Sequence, residues 1–230
     1  SARPRPTPTP RVPPMPLRSA TASVLALLVA IAVADEDTAV TCSSLVRLKH
    51  LGTGYFLHSH GIAWGSGSGQ QSVTLHGNQD ESGGLFVLKE ANGEMPCEAG
   101  QVVACGSAVR LEHVNTGRNL HSHNFRAPLS KNQEVSGYGE HGSGDTGDDW
   151  IVECEGDEEE WIRANVVQLR HRDTGKFLTS SKQAKFEQKN CPNCPILGQM
   201  EVSASGAKDR NSRWTTGEGL YIQPKKSLSS

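Results

Sequence analysis

Two His-Ser-His triplets, His58-Ser59-His60 and His121-Ser122-His123, are the sharpest chemical signal in this chain. On a strand, residues two apart point to one face, so each triplet presents two imidazoles side by side. Such a pair can hold a metal ion, meet a polar ligand, or serve as hydrogen-bonded scaffold between neighbouring segments. No carboxylate or cysteine stands at a fixed spacing to complete a coordination shell, so no metal is expected. Three arginines stand near these triplets in sequence: Arg47, Arg110 and Arg118. A guanidinium there could bind a carboxylate or sugar hydroxyls, or lie on a solvated strand face. Arg47, His58, His60, Arg110, Arg118, His121 and His123 are therefore the candidate binding residues.

The six cysteines offer further chemistry. Cys97 and Cys105 bracket a short loop and are expected to pair, and Cys42 with Cys154 would join the chain start to the middle. Cys191 and Cys194 form a CxxC with no second CxxC to complete a zinc site and no βαβ context for a redox motif. A loop disulfide or two free thiols is the plainer account. Gly65-Ser66-Gly67-Ser68-Gly69-Gln70-Gln71 lacks the Lys-Ser/Thr ending of a phosphate-cradling loop. Asp145, Asp148 and Asp149 sit in a Gly-rich loop and read as turn formers. The acidic tract at 155–160 reads as solvated loop. No Gly-x-Ser-x-Gly elbow or His-Glu-x-x-His occurs, so neither an enzyme nor a cofactor is expected.

The elements that carry these residues are written three times. VRLKHLGTGYFLHSH starts at Val46, VRLEHVNTGRNLHSH at Val109 and VQLRHRDTGKFLTSS at Val167. A period of this length signals one supersecondary unit used repeatedly. Within each copy, alternating apolar and polar residues predict a strand, Thr-Gly a turn, and the following Leu (Leu57, Leu120, Leu178) an inward position on a second strand. His50, His113 and His171 occur in all three copies and read as scaffold. A second half follows in each copy, from Gln71, Gln133 and Met200 to Phe86, Trp150 and Trp214. Three units of about four short strands predict an all-β chain of roughly twelve strands, a β-trefoil barrel with a hairpin cap. A β-sandwich is the alternative, but it does not explain three equal units.

The ends differ in character. Residues 1–14 are Pro-rich and read as a disordered upstream segment. Met15, Arg18, an apolar run at 24–33 and Ala32-Val33-Ala34 make a secretory signal over 15–34, with a β-trefoil over 35–222 and a flexible tail at 223–230. The apolar run is too short for a membrane span. Cleavage after Ala34 removes four arginines and no acid, leaving a net charge of −6, which argues against nucleic acid as a partner. Cysteines confined to the mature part fit an oxidising compartment.

Leu-His-Ser-His, Gly-Ser-Gly-Ser-Gly-Gln-Gln-Ser-Val and His-Val-Asn-Thr-Gly-Arg-Asn-Leu-His-Ser-His resemble the motifs of the MIR-domain family of stromal cell-derived factor 2 and its relatives. The resemblance covers about residues 40–222. It implies a β-trefoil of three MIR repeats, about 40–98, 102–160 and 161–222. It also implies a non-enzymatic protein of the endoplasmic reticulum lumen, acting with an Hsp40-type co-chaperone and the lumenal Hsp70 on unfolded clients in quality control. The C-terminal KKSLSS is not a retention tetrapeptide, so retention would come through a partner, with secretion as the other outcome. A carbohydrate-binding trefoil, taking glycans, is the alternative function. The segment at 186–197 carrying Cys191 and Cys194 departs from the family pattern.

Overall fold

A computed structural model describes residues 39–216 and 218–225. The expected upstream segment, the signal peptide and the last residues of the tail lie outside the described residues. Each copy supplies four strand positions. The first gives β1 (Leu45–Val46), β2 (Leu48–His50), β3 (Phe56–Ala63), β4 (Gln71–His76) and β5 (Phe86–Glu90). The second gives β6 (Ala108–His113), β7 (Arg118–Arg126), β8 (Gln133–Tyr138) and β9 (Trp150–Cys154). The third gives β10 (Val167–His171), β11 (Phe177–Lys185), β12 (Met200–Ser205) and β13 (Trp214–Thr216). The expected first strand is broken at Arg47, so thirteen strands are described where about twelve were predicted.

The pairings close two rings. Strands β5, β6, β9, β10 and β13 pair in succession, β13 pairs β2, and β1 returns to β5. This is a six-position barrel without open edges, which removes the template for edge-to-edge association. The hairpins β3–β4, β7–β8 and β11–β12 form the cap, because β4, β8 and β12 also pair with one another. The trefoil is thereby seen directly, and the sandwich is excluded. The inner leucines behave alike: Leu57, Leu120 and Leu178 are all but fully buried, each burial stabilising by roughly 1.5–3 kcal/mol.

The thrice-repeated His-x-x-Thr-Gly proves to be a turn with a long-range clasp. Gly54, Gly117 and Gly175 have φ of 78°, 62° and 67°, a region in which only glycine is unstrained. Each donates its N–H to the carbonyl of His50, His113 or His171. The same histidines bond Thr53, Thr116 and Thr174 through Nδ1 at 2.8–2.9 Å. Their Nε2 atoms reach the carbonyls of Asn211, Gly83 and Gly147, each in or beside a 3-10 turn of another repeat. The scaffold histidines thus stitch the three repeats into a cycle.

Two expected disulfides are corrected. Cys42 pairs with Cys97 and Cys105 with Cys154, instead of Cys97 with Cys105 and Cys42 with Cys154. The segment between Cys97 and Cys105 is itself a strand-like partner. Its Val102 bridges Thr41, which draws Cys97 to Cys42, while Ala104 bridges Glu160, which draws Cys105 to Cys154. Cys191 and Cys194 form the third disulfide, over a satellite apolar cluster of Trp64, Phe186 and Ile196. Among the described residues no helix is long and apolar enough to cross a membrane.

Candidate functional site

The residue after each inner leucine starts a small polar pocket between the cap hairpin and the 3-10 turn of its own repeat. These residues are His58, His121 and Thr179, all buried. The turns are Ser82–Gly84, Thr146–Asp148 and Arg210–Ser212. In copy three the Thr179 hydroxyl donates to the Asn211 carbonyl at 2.7 Å. There Ser212 stands in the place that Asp148 takes in copy two.

In copy two the pocket is a carboxylate network. His121 Nδ1 lies 2.9 Å from Asp148 Oδ1 and 3.6 Å from Asp145 Oδ1. Asp148 is fully buried and also accepts from Asn119 Nδ2 at 3.0 Å and the Asp145 amide at 3.1 Å. Asp145 in turn caps the turn by accepting from Gly147 N. Two residues on, His123 Nε2 lies 3.1 Å from Oε1 of fully buried Glu134. Glu134 also accepts from the Ser68 hydroxyl and amide, which pins the Gly-Ser loop that carries no phosphate signature.

Copy one keeps the histidines and lacks both acids. Gly84 occupies the place of Asp148, and Ser72 that of Glu134, as the β3–β4 and β7–β8 registers show. His58 Nδ1 is buried and has no hydrogen-bond partner, and His60 meets the Ile62 amide and the neutral Gln199 side chain but no carboxylate. Burial is the first cause that pushes the His58 imidazole down to about 3, with His60, His76, His113 and Arg47 adding positive charge around it. Burial likewise lowers His60. The rings of His58 and His60 lie 5.3 Å apart, and those of His58 and His76 5.2 Å. His76 was not singled out by the repeat, since it lies in the second half of copy one.

The arginines divide. Arg110 is buried and spent internally, donating to the Glu90 carbonyl and carboxylate and to the Gly142 carbonyl at 2.9–3.1 Å. Its expected availability to a ligand is therefore corrected. Arg47 is half-buried and donates to the Glu81 carbonyl at 2.9 Å. Its guanidinium covers Gly84, so that a Cβ there would sit 2.6 Å from Nη1. Arg118 is half-buried at the start of β7. The structure therefore places His58, His60 and Arg47 together and His121 with His123 in a second pocket, and leaves Arg110 and Arg118 outside both.

Two triads of potential metal ligands lie close together among the described residues: Cys42, Glu90 and Cys97, and His121, Asp145 and Asp148. The first contains a disulfide. In the second, the carboxylate oxygens already accept protein N–H groups, the pattern of a satisfied buried network rather than of a waiting cation site. Glu134 was missed by the sequence reading, and Asp148, expected as a turn former, does cap its turn, while its bond to His121 was not foreseen. The signal available was the 3-10 turn beginning Asp145, where Asp at the cap and Asp three residues on make a reciprocal capping pattern.

Comparison with known proteins agrees with this architecture. The MIR domain model matches residues 79–213. A stromal cell-derived factor 2-like protein of Dictyostelium discoideum is 44% identical over 191 residues, covering 82% of this chain and 86% of the relative. Human stromal cell-derived factor 2 is 41% identical, with 83% and 86% covered. The crystal structure of the SDF2-like protein from Arabidopsis thaliana superposes with a TM-score of 0.76 at 34% identity, covering 82% of this chain and 99% of that one. The S. cerevisiae protein O-mannosyltransferase Pmt1-Pmt2 complex, solved with its sugar donor, matches with a TM-score of 0.67 at 28% identity, over 84% of this chain and 29% of that one. Matches of this length and identity make the chain a member of the MIR-domain family, in the branch of stromal cell-derived factor 2 and its SDF2-like relatives.

Proposed function

We propose that this protein is a non-enzymatic cofactor of the endoplasmic reticulum lumen that works with an Hsp40-type co-chaperone and the lumenal Hsp70 and holds unfolded or misfolded clients. The observation that carries this reading is the match to stromal cell-derived factor 2-like relatives over 86% of their length, in a chain that is a single trefoil over its described residues. Cysteines paired in three disulfides fit an oxidising lumen. A pocket of about 340 Å³ beside the Cys42–Cys97 bridge is lined in part by Leu88, Met95, Pro96 and Val103, with Met95 86% exposed at its rim. A flexible thioether beside apolar walls suits unfolded segments of varied sequence. The test is client aggregation in the presence of purified lumenal Hsp70 and Hsp40, with and without this chain. The reading expects less aggregation with the chain present and direct binding to the Hsp40. Equal aggregation and no binding would reject it.

A glycan-binding role is the second reading. It is favoured by a pocket of about 320 Å³ lined by Asn124, Phe125, Arg126, Asn132 and Lys176, in which an exposed ring and amides could meet a sugar face and its hydroxyls. A glycan array with wild-type chain and Phe125→Ala separates the two: binding that Phe125→Ala abolishes supports it, and an empty array rejects it.

A further inference from the structure

Copy two supplies an internal control for copy one. In both copies two imidazoles stand at the same register of the same hairpin, against the same 3-10 turn. In copy two each imidazole has a carboxylate: Asp148 for His121 and Glu134 for His123. In copy one both acids are gone and Gly84 and Ser72 stand in their places; His58 Nδ1 is buried without a partner, its ring turned so that Nε2 faces the turn at Gly83, and His60 meets the neutral Gln199 side chain instead of a carboxylate. Buried polar atoms in native proteins nearly always have a partner, and an exception points to a missing one.

Arg47 brings the positive charge to this vacancy, and the His58, His60 and His76 imidazoles converge beside it as hydrogen-bonding groups; the Arg47 guanidinium covers the glycine from which copy two extends its Asp148 carboxylate. Asp80 and Glu81 on the adjoining loop make no ion pair with any of them within 4.0 Å among the described residues. Gln199, from the 186–199 segment, is a neutral side-chain partner of His60 and also accepts from the Thr74 hydroxyl, so no carboxylate of the described residues serves His60. A dication would be repelled by Arg47, and these nitrogens do not form a metal-sized triad. An anion is attracted. His60, His76 and Arg47 are half-buried and Gly61 and Ser82 exposed, so the cluster borders solvent.

We propose that Arg47, His58, His60 and His76 form a binding site for the adjacent carboxylates of an acidic peptide segment, which occupy from outside the positions that Asp148 and Glu134 occupy from within in copy two. Two neighbouring acids are called for because the two histidines are served in copy two by two separate carboxylates. The guanidinium of Arg47 swings off Gly84 to admit the first and pairs with it, a charge-assisted contact with fork geometry. The site is independent of which chaperone or glycan the protein serves.

The test uses the full oxidised chain, with histidine side-chain NMR and titration calorimetry. The probes are a short peptide of consecutive Asp and Glu, its Asn/Gln counterpart, and inorganic phosphate. The acidic peptide is expected to shift the ring resonances of His58 and His60, and the neutral peptide to leave them in place. Gly84→Asp installs the copy-two carboxylate at a glycine whose φ needs no left-handed conformation, so it should weaken peptide binding roughly tenfold or more by self-occupation, given what a charged hydrogen bond contributes. Should that variant fail to fold, Arg47→Gln, which copies Gln168 of the third repeat, should weaken binding several-fold while leaving the pocket open. Equal binding of both peptides, undiminished binding by Gly84→Asp or Arg47→Gln, or ring shifts with phosphate but not with the acidic peptide would each overturn the proposal.

Discussion

Replacing Asp148 by Ala tests whether copy two is held by its buried carboxylate. Asp148 is fully buried and accepts three hydrogen bonds, from His121 Nδ1 at 2.9 Å, Asn119 Nδ2 at 3.0 Å and Asp145 N at 3.1 Å. Truncation strands the two buried side-chain donors, each at a cost of about 1–3 kcal/mol. It also removes half of the reciprocal cap of the Thr146–Asp148 turn, worth about 1 kcal/mol. The total is roughly 3–7 kcal/mol. At about 2–4 °C per kcal/mol for a domain of this size, Tm should fall by roughly 6 °C or more. Calorimetry under non-reducing conditions reads this directly. Asp148→Asn keeps the volume and one acceptor oxygen, and the His121 ring can change tautomer to accept from the new amide, so it should cost about half as much. A His121→Ala/Asp148→Ala cycle should show coupling of at least about 1 kcal/mol. A Tm change under about 3 °C for Asp148→Ala, or strict additivity in the cycle, would refute the reasoning.

Further outcomes follow from the same contacts. Burial lowers His50, His58, His60, His113 and His171 below 6.5. Below that pH the unfolded chain binds protons that the native chain refuses, so stability should fall as pH drops from 6.5 toward the lowered native values, by at most about 1.4 kcal/mol per pH unit per histidine. Urea midpoints at pH 7.5 and 5.5 check this, and His58→Gln should flatten the decline. Trp150→Phe reproduces Phe86 of copy one but strips the Leu120 carbonyl of its indole N–H at 2.8 Å. It should cost about 1–3 kcal/mol in chemical denaturation. Peptide mapping under non-reducing conditions should find Cys42–Cys97, Cys105–Cys154 and Cys191–Cys194. Removing either of the first two, which span 55 and 49 residues, should cost about 4 kcal/mol, against about 2 or less for the third, which closes a very short loop.

Much of this protein was legible in its residues because its signals are local and repeated. Val-x-Leu-x-His, the Thr-Gly turn and the inner leucine each act over a few residues, and threefold recurrence tied them to one register. That was enough for the hairpins, the inward leucines, the Thr-Gly turns and the trefoil. The scaffold role of His50, His113 and His171 was readable for the same reason, although their clasp on other repeats was not.

What only the tertiary structure decided concerns partners far apart along the chain. Asp148 lies 27 residues from His121 and Glu134 11 residues from His123, and neither spacing marks a coordination or catalytic pattern. The disulfides depended on how residues 97–105 lie between two other segments, which no spacing rule could supply. Arg110 looked as available as Arg47, yet one is spent on Glu90 and the other lies over a glycine. The sequence alone determined which side chains face one way along each strand, because strand periodicity needs only neighbours. The closure of the barrel decided which of them meet, because whether a buried histidine has a carboxylate depends on a 3-10 turn brought across the hairpin by the fold.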